Sequence, residues 1–337
     1  MRIAVQASGI HRVDIEVRSG RQLGPFPLPE LPYILGREVA GIVDAVADDV
    51  TRELIGTRVA VSLGNANGGY ARLAVAAAAD LHDIGPDLDA RVAVAMVGTG
   101  RTAKGMLANG QLTSADTVLI TGAAGGLGSL FVQAAHRLGA TIVAVAGGPD
   151  RAALATSLGA DVAVDHTDPS WIGRVRTLAP TVLLDGSGGA VGAEAARLLR
   201  PGSRALFFGH PTGVSDDELA RRSITTTPML GPPGGFTPDN SRRWAAEAIA
   251  DAVAGTLRPQ LTTFALAEAA RAHAEFQRRT TVGRWFSCRR KPHRTPCARF
   301  AAPPRVARRA ERLRTAVAAF STFPPDPGVT HTGYAGQ

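Results

Sequence analysis

Between Thr121 and Gly139 the chain reads TGAAGGLGSLFVQAAHRLG, a glycine-rich run backed by an apolar stripe. Its segment AAGGLG fits the dinucleotide fingerprint, with Ala123 at the first glycine position and Gly125 and Gly128 at the second and third. The second glycine lets backbone approach a pyrophosphate, and the third lets a helix lie close on its strand. The helix N-terminus then presents free N–H groups to phosphate oxygens. Ala123, Ala124, Gly125, Gly126, Leu127 and Gly128 are thus expected to cradle a nucleotide. Any tight strand-to-helix turn also favours glycine, so the motif alone leaves a purely structural turn open.

A site for NAD carries Asp or Glu about 20 residues past the loop, on the ribose hydroxyls. Here the next strand ends in Ala146-Gly147-Gly148, with Arg151 soon after. Without a carboxylate to repel it and with a guanidinium close by, a 2′-phosphate is better accommodated than a bare ribose. NADPH is the expected cofactor. The alternative for Arg151 is a solvated arginine at a helix start.

The elements that must position these residues follow from the hydrophobic pattern. TVLITG, TIVAVAG, VAVDH, TVLLDG and RALFFG are continuous apolar runs, as expected of strands buried on both faces. SLFVQAAHRLG, RAALATSLGA and GAEAARLLRPG lie between them at helical spacing, which predicts a doubly wound parallel sheet. Ahead of about Ala93, the short runs RIAVQA, VAGIVDAV, TRVAVSL and ARLAVAA, broken by Pro, Gly and Asn, predict a mostly β domain. The pattern thus changes near residue 93. A last helix of the nucleotide-binding part is expected from Arg242 to about Gly255.

The net charge of +8 suggests an anionic partner, but its distribution argues otherwise. Ten of the 37 Lys and Arg and two of the 29 acids lie beyond residue 288, so the first 288 residues are formally neutral. The tail lacks the interleaved aromatics of a nucleic-acid stacking platform, and no nucleic-acid or membrane partner is expected. The two cysteines, Cys288 and Cys297, leave the body without a disulfide or thiolate ligand, which fits a reducing cytoplasm. No signal peptide or membrane-length apolar run is apparent.

Taken in order, GREVAGIVDAV, GTRVAV, GGYARL, ITGAAGGLG, LGADVAVDH, LLDGSGG, LLRPGSRALFFG and LAEAARAH resemble the zinc-independent quinone reductases of the medium-chain dehydrogenase/reductase superfamily, the zeta-crystallin-like group. The resemblance runs from about Ile3 to Gly283. It implies a β-rich GroES-like catalytic domain split around a Rossmann domain, with NADPH in the cleft between them. Along the chain it implies 1–92 as the first part of the catalytic domain, 93–256 as the nucleotide-binding domain, 257–287 as a return to the catalytic domain, and 288–337 as a disordered or frameshifted tail. By resemblance, Ala123 to Gly128 hold the pyrophosphate, Gly147 and Arg151 surround the 2′-phosphate, and His166 stands where relatives often carry a Tyr near the adenosine phosphate. Thr102 corresponds to a Thr near the nicotinamide, and Phe208 and Gly209 follow the strand beside it. Thr102 also fits a plain helix-packing role. A homodimer through the Rossmann sheet edge, near RALFFGHPTG and ITTTPMLGPPGG, is implied as well.

Zinc-containing relatives place a metal-binding Cys and His in the segments equivalent to SGIHRVD and GREVAG. Here those positions are His11 and Arg37, with only Glu38 kept, and a guanidinium cannot ligate zinc. No metal site is expected. With no Ser-His-Asp or Cys-His grouping either, the chemistry falls to the cofactor: hydride to a quinone or conjugated enone. A quinone needs no committed acid, whereas an enolate benefits from a positioned donor. His11, Tyr70 and Arg101, with Tyr33, are the candidates, each with a packing alternative. Asp185 is expected to end a Rossmann strand, with Ser187 in the turn after it.

Two departures from the family pattern bear on function. Relatives carry further strands ahead of RIAVQASGIHRVD, so Met1 is expected to be an internal or mis-assigned start. At the other end, TTVGRWFSCRRKP replaces a closing apolar strand, and read one base out of frame it spells such a strand. The segment from about Arg284 is therefore expected to be frameshifted. The readings are an NADPH-dependent quinone reductase, an alkene reductase of secondary metabolism, or a catalytically impaired nucleotide-binding protein.

Overall fold

Alternating and unbroken apolar runs build different kinds of sheet, and this chain contains one of each. The computed structural model describes residues 1–22, 28–66, 68–209, 212–227 and 235–278, with the backbone of 285–287. The expectations for the tail, 288–337, lie outside these residues. In chain order the first elements are β1 (Arg2–Gly9), α1 (Arg12–Arg18), β2 (Glu38–Ala45), β3 (Arg58–Ser62), β4 (Leu73–Val75), β5 (Leu81–Asp83), α2 (Ala90–Ala95), a π-helical turn (Met96–Gly100) and α3 (Arg101–Gly110). There follow β6 (Thr117–Thr121), α4 (Gly126–Leu138), β7 (Thr141–Ala146), α5 (Pro149–Ser157), β8 (Val162–Asp165), α6 (Trp171–Arg176), β9 (Val182–Asp185) and α7 (Gly189–Arg197). The last are β10 (Arg204–Phe207), α8 (Asp216–Arg221), β11 (Thr225–Thr227), α9 (Pro238–Val253), β12 (Thr263–Ala265), α10 (Ala269–Gln277) and β13 (Trp285–Ser287).

The first sheet runs β12-β13-β1-β2-β3-β5, with β4 also on β1. Its pairs are antiparallel except β12 with β13. Alternation along β1 turns Ile3, Val5 and Ala7 inward, where Ile3 and Val5 meet Val39, Val43, Val59 and Val61. The strand at Trp285–Ser287 occupies the β1 edge, opposite Ala7, Ser8 and Gly9.

The second sheet runs β11-β10-β9-β6-β7-β8, with all its pairs parallel. Val118, Leu119, Ile120 and Ile142 to Val145 are fully buried, because helices cover both faces. The chain steps outward from β6 to β8, then crosses back to β9. This puts the topological switch point between β6 and β9, where open α/β sheets present a crevice at their carboxyl ends. At the opposite end, Asp116 accepts bonds from the Thr181 hydroxyl at 2.8 Å and the Arg204 guanidinium at 2.8 Å, tying β6, β9 and β10 together. β11 is the sheet edge near the expected dimer segment; residues 210–211 and 228–234 of that segment lie outside those described.

Helix α9 begins at Pro238, four residues before the expected Arg242. Thr237 accepts the Asn240 N–H at 3.2 Å, and Pro238 takes the first helical position, a start signal that hydrophobic periodicity alone does not register. The π-helical turn packs on α2, α3, α4, α9 and β3, so it contacts a strand of the first sheet and a helix, α4, that covers the second. Among the described residues no helix is long and apolar enough to cross a membrane.

The β1–β2 pairing sets one sharp steric condition. A methyl at Gly41 would lie 2.1 Å from the Ala4 carbonyl oxygen, so the strands cannot keep their spacing around it. Gly41→Ala is expected to cost about 1–3 kcal/mol or more, read as a lowered thermal midpoint.

Candidate active site

The crevice at the switch point is built on one buried carboxylate. Asp185, the last residue of β9, is fully buried; the Thr121 hydroxyl donates to it, and the Ser187 and Gly188 amides donate at 3.2 Å. Burial pushes its carboxyl up, and these donors pull the other way without fully offsetting it. The Thr121 oxygen in turn accepts from the Gly186 and Ser187 amides, so the turns after β6 and β9 are fixed to each other.

The glycine loop leaves β6 at this point. Gly125 caps α4, and the Gly125 amide donates to Gly122 O at 2.8 Å. A methyl at Gly128 would sit 2.2 Å from that same carbonyl, which is the steric reason helix and loop can approach so closely. Ala123 is fully buried, so the first fingerprint position here takes a methyl without loss of packing. The first-turn amides of α4 have no acceptor within the helix and carry its positive dipole end.

At the end of β7 three expected residues come together. A Cβ placed on Gly147 would lie 3.0 Å from His166 Nε2 and 3.8 Å from an Arg151 guanidinium nitrogen. Gly148 has φ of +95°, and its amide donates to Asp165 Oδ1 at 2.8 Å. That bond turns the chain into α5 and brings Arg151 back beside His166.

His11 and Glu38 form the other polar centre. His11 Nε2 lies 2.5 Å from Glu38 Oε2; Glu38 is 3% exposed, while the imidazole side chain keeps 27% of its surface. Two glycines make room for this carboxylate. A methyl on Gly98 would lie 2.1 Å from both Glu38 oxygens, and one on Gly9 would lie 2.7 Å from Oε2. Burial opposes charge on both partners, yet their mutual attraction and hydrogen bond prevail: His11 is raised and Glu38 lowered from their ordinary values. Arg101 opposes the charge on His11 and favours that on Glu38.

His11 also caps α1, its amide donating to Asp14 Oδ2 at 2.7 Å. The Tyr70 phenol donates to the same oxygen at 3.2 Å and lies 3.1 Å from His273 Nε2. Burial raises the phenol, with Asp14 adding to the effect, and burial lowers His273 to about 4. Tyr70 is thus a protonated donor beside a neutral imidazole. Tyr33 is also raised by burial.

The structure places Ala123, Ala124, Gly125, Gly126, Leu127 and Gly128 at the switch point, and Gly147, Arg151 and His166 together beyond the end of β7. Phe208 packs edge-to-face on Phe131 at 5.2 Å, and Gly209 crosses closely over Gly186, the residue after β9. The Thr102 hydroxyl donates to Gly98 O at 3.1 Å. Tyr70 is engaged with Asp14, while Arg101 lines a cavity of about 130 Å³ with Ser62, His82, Ser241 and Arg242. Its Nε is buried without a hydrogen-bond partner. Sequence reasoning missed Gly98, Thr99, Asp14 and His273. Only Asp14 left a signal, an acid three residues into a helix.

Among the described residues no group of three or more His, Cys, Asp or Glu side chains is placed to hold a metal. Around His11 the donor set is one imidazole already bonded to a carboxylate, with the Arg101 charge nearby. That does not fit the three protein ligands of a catalytic zinc.

The charged pair has a defined pH window. With His11 raised, its contribution is full below the unfolded imidazole value of about 6.5 and is lost as pH rises through the folded value. With Glu38 lowered, the contribution is lost as pH falls through the folded carboxyl value. The loss of thermal midpoint in His11→Gln is therefore expected to be larger at about pH 6 than at about pH 9, as melting curves would measure.

Comparison with known proteins follows the same division of the chain. A family described as Alcohol dehydrogenase GroES-like domain matches residues 1–87, and one described as Zinc-binding dehydrogenase matches residues 126–231. A quinone oxidoreductase of Pseudomonas aeruginosa is 32% identical over 295 residues, covering 84% of this chain and 89% of that protein. A 2-haloacrylate reductase of Burkholderia sp is 29% identical over 304 residues, with 84% and 89% covered. Among solved structures, the quinone oxidoreductase of Pseudomonas syringae pv. Tomato DC3000 aligns with a TM-score of 0.75 at 30% identity, covering 85% of this chain and 90% of that one. A mycobacterial protein complexed with NADPH aligns with a TM-score of 0.75 at 29% identity and the same coverage. With its antiparallel GroES-like sheet and its parallel Rossmann sheet, the chain belongs to the quinone oxidoreductase-like group of the medium-chain dehydrogenase/reductase superfamily.

Proposed function

We propose that this protein is an NADPH-dependent oxidoreductase that passes hydride to a quinone or related conjugated carbonyl without a metal ion. The observation that carries this reading is the meeting of Gly147, Arg151 and His166 at the end of a crevice that starts at a helix N-terminus. An amide cradle alone suits any dinucleotide; a guanidinium and an imidazole in place of a ribose-binding carboxylate suit one with a 2′-phosphate. The Pseudomonas aeruginosa relative, named a quinone oxidoreductase, supports the same reading, as does a similar structure described as an NADPH complex.

In this reading the first-turn amides of α4 and the loop from Ala123 to Gly128 bind the pyrophosphate. Arg151 and His166 hold the 2′-phosphate against the bare backbone of Gly147. Thr102, Phe208 and Gly209 border the nicotinamide, which supplies the hydride when the cofactor is bound. Thr102 reaches that place from the first turn of α3, its hydroxyl held by the Gly98 carbonyl. The two sheets enclose the reacting pair and exclude water, and a flat quinone needs orientation more than acid catalysis.

Nicotinamide fluorescence on the purified chain tests this, with NADPH expected to bind and NADH to bind more weakly. Arg151→Ala is expected to weaken NADPH by about tenfold or more, by loss of a charge-assisted bond, and to change NADH affinity by less than about threefold. Equal loss for both cofactors would remove the 2′-phosphate assignment.

A further inference from the structure

We propose that His11, oriented by the buried carboxylate of Glu38, is the proton donor that completes reduction of α,β-unsaturated carbonyl acceptors at this cleft. The proposal rests on the reading that hydride is delivered here from NADPH, and it narrows the acceptor class.

The geometry is that of a carboxylate–imidazole dyad. Among the described residues the Glu38 carboxylate has one hydrogen-bond partner, His11 Nε2, at 2.5 Å. It is buried to 3% exposure in a space that Gly9 and Gly98 keep free of side chains. An ionised carboxylate taken out of water to that degree favours the positive form of its neighbour, against the cost of burying that charge. With Nε2 committed to Glu38, Nδ1 is the nitrogen left to exchange a proton, on a ring that retains 27% of its surface. The backbone under the ring is locked as well: the His11 amide donates to Asp14, and the Asp14 amide returns a bond to His11 O at 3.1 Å.

The dyad adjoins the nucleotide crevice through a single turn of chain. Gly98 lies against the Glu38 carboxylate, and the next residue, Thr99, places its methyl 3.6 Å from where a side chain on Gly126 of the glycine loop would begin. Such π-helical turns often occur at functional sites. The charged groups facing the dyad are Asp14 from α1, Arg101 from α3 and Arg37 ahead of β2. Asp14 favours the imidazolium and Arg101 opposes it. Tyr70, held protonated, adds no charge.

The chemistry then balances. The β-carbon of an enone receives hydride, the C=C electron pair moves to the carbonyl oxygen, and the nicotinamide is left oxidised. The proton on His11 Nδ1 passes to the resulting enolate, giving the saturated carbonyl and a neutral imidazole that regains a proton from water. A quinone yields an aromatic hydroquinone anion that solvent can protonate, so a dedicated donor matters for enones.

The test uses the full chain, NADPH and 2-cyclohexenone, with His11→Gln and Glu38→Gln checked for folding by melting curves. Wild type is expected to reduce the enone with kcat falling at alkaline pH as His11 loses its proton. His11→Gln is expected to lose about 100-fold or more in kcat with KM little changed and that alkaline limb gone. Independently of turnover, NMR titration of the cofactor-free protein should show the His11 ring titrating above its ordinary value and returning toward it in Glu38→Gln. No NADPH binding to wild type would overturn both this proposal and the function it rests on. NADPH binding without enone turnover overturns this proposal alone, as does His11→Gln keeping wild-type kcat and pH profile, or a His11 ring that titrates at its ordinary value.

Discussion

A carboxylate withdrawn from water costs several kcal/mol unless a counter-charge and hydrogen bonds meet it where it lies. Glu38 is such a group, and much of the surrounding architecture is arranged around it. It starts β2, where its backbone pairs with Ser62 of β3, so its position is fixed by the sheet before any side chain is considered. Its own oxygens require a glycine on β1 and a glycine in the π-helical turn, because a methyl at either would occupy their place. The counter-charge is His11, at the junction of β1 and α1. Three separate segments thus converge on one pair of charges.

The Rossmann half solves a similar problem with a different outcome. Asp185 is as deeply buried as Glu38, but a hydroxyl and backbone amides satisfy it, and among the described residues no cation faces it. Its carboxyl moves up, whereas the Glu38 carboxyl moves down. The first arrangement is structural: it fixes the turns after β6 and β9 and so holds the glycine loop at the sheet's carboxyl end. The second leaves a partly exposed imidazole, which structure alone does not require. A third carboxylate, Asp116, closes the far end of the sheet and is lowered, Thr113, Thr181 and Arg204 together outweighing its burial.

The two polar centres lie on either side of one turn of chain. The π-helical turn has Gly98 on the Glu38 side and Thr99 on the α4 side. Bulk at Gly98 would displace the carboxylate, and movement of Thr99 would alter the entrance to the glycine loop. A helix with regular i to i−4 bonding has a narrower radius, and the wider turn lets adjacent residues reach both neighbours.

The sequence by itself determined the parallel sheet and the glycine loop at the end of its first strand. Those features depend on spacing over a few residues: apolar runs for buried strands, Gly125 and Gly128 for close approach. Only the tertiary structure decided what His11 meets, because Glu38 lies 27 residues away and Gly98 farther still. It likewise decided that Tyr70 is spent on Asp14 and His273, and that Arg101 lines a cavity with Ser62, His82 and Arg242. Local pattern rules carry no information on which charge a buried group will meet. That is set by sheet register and by how much room facing residues leave.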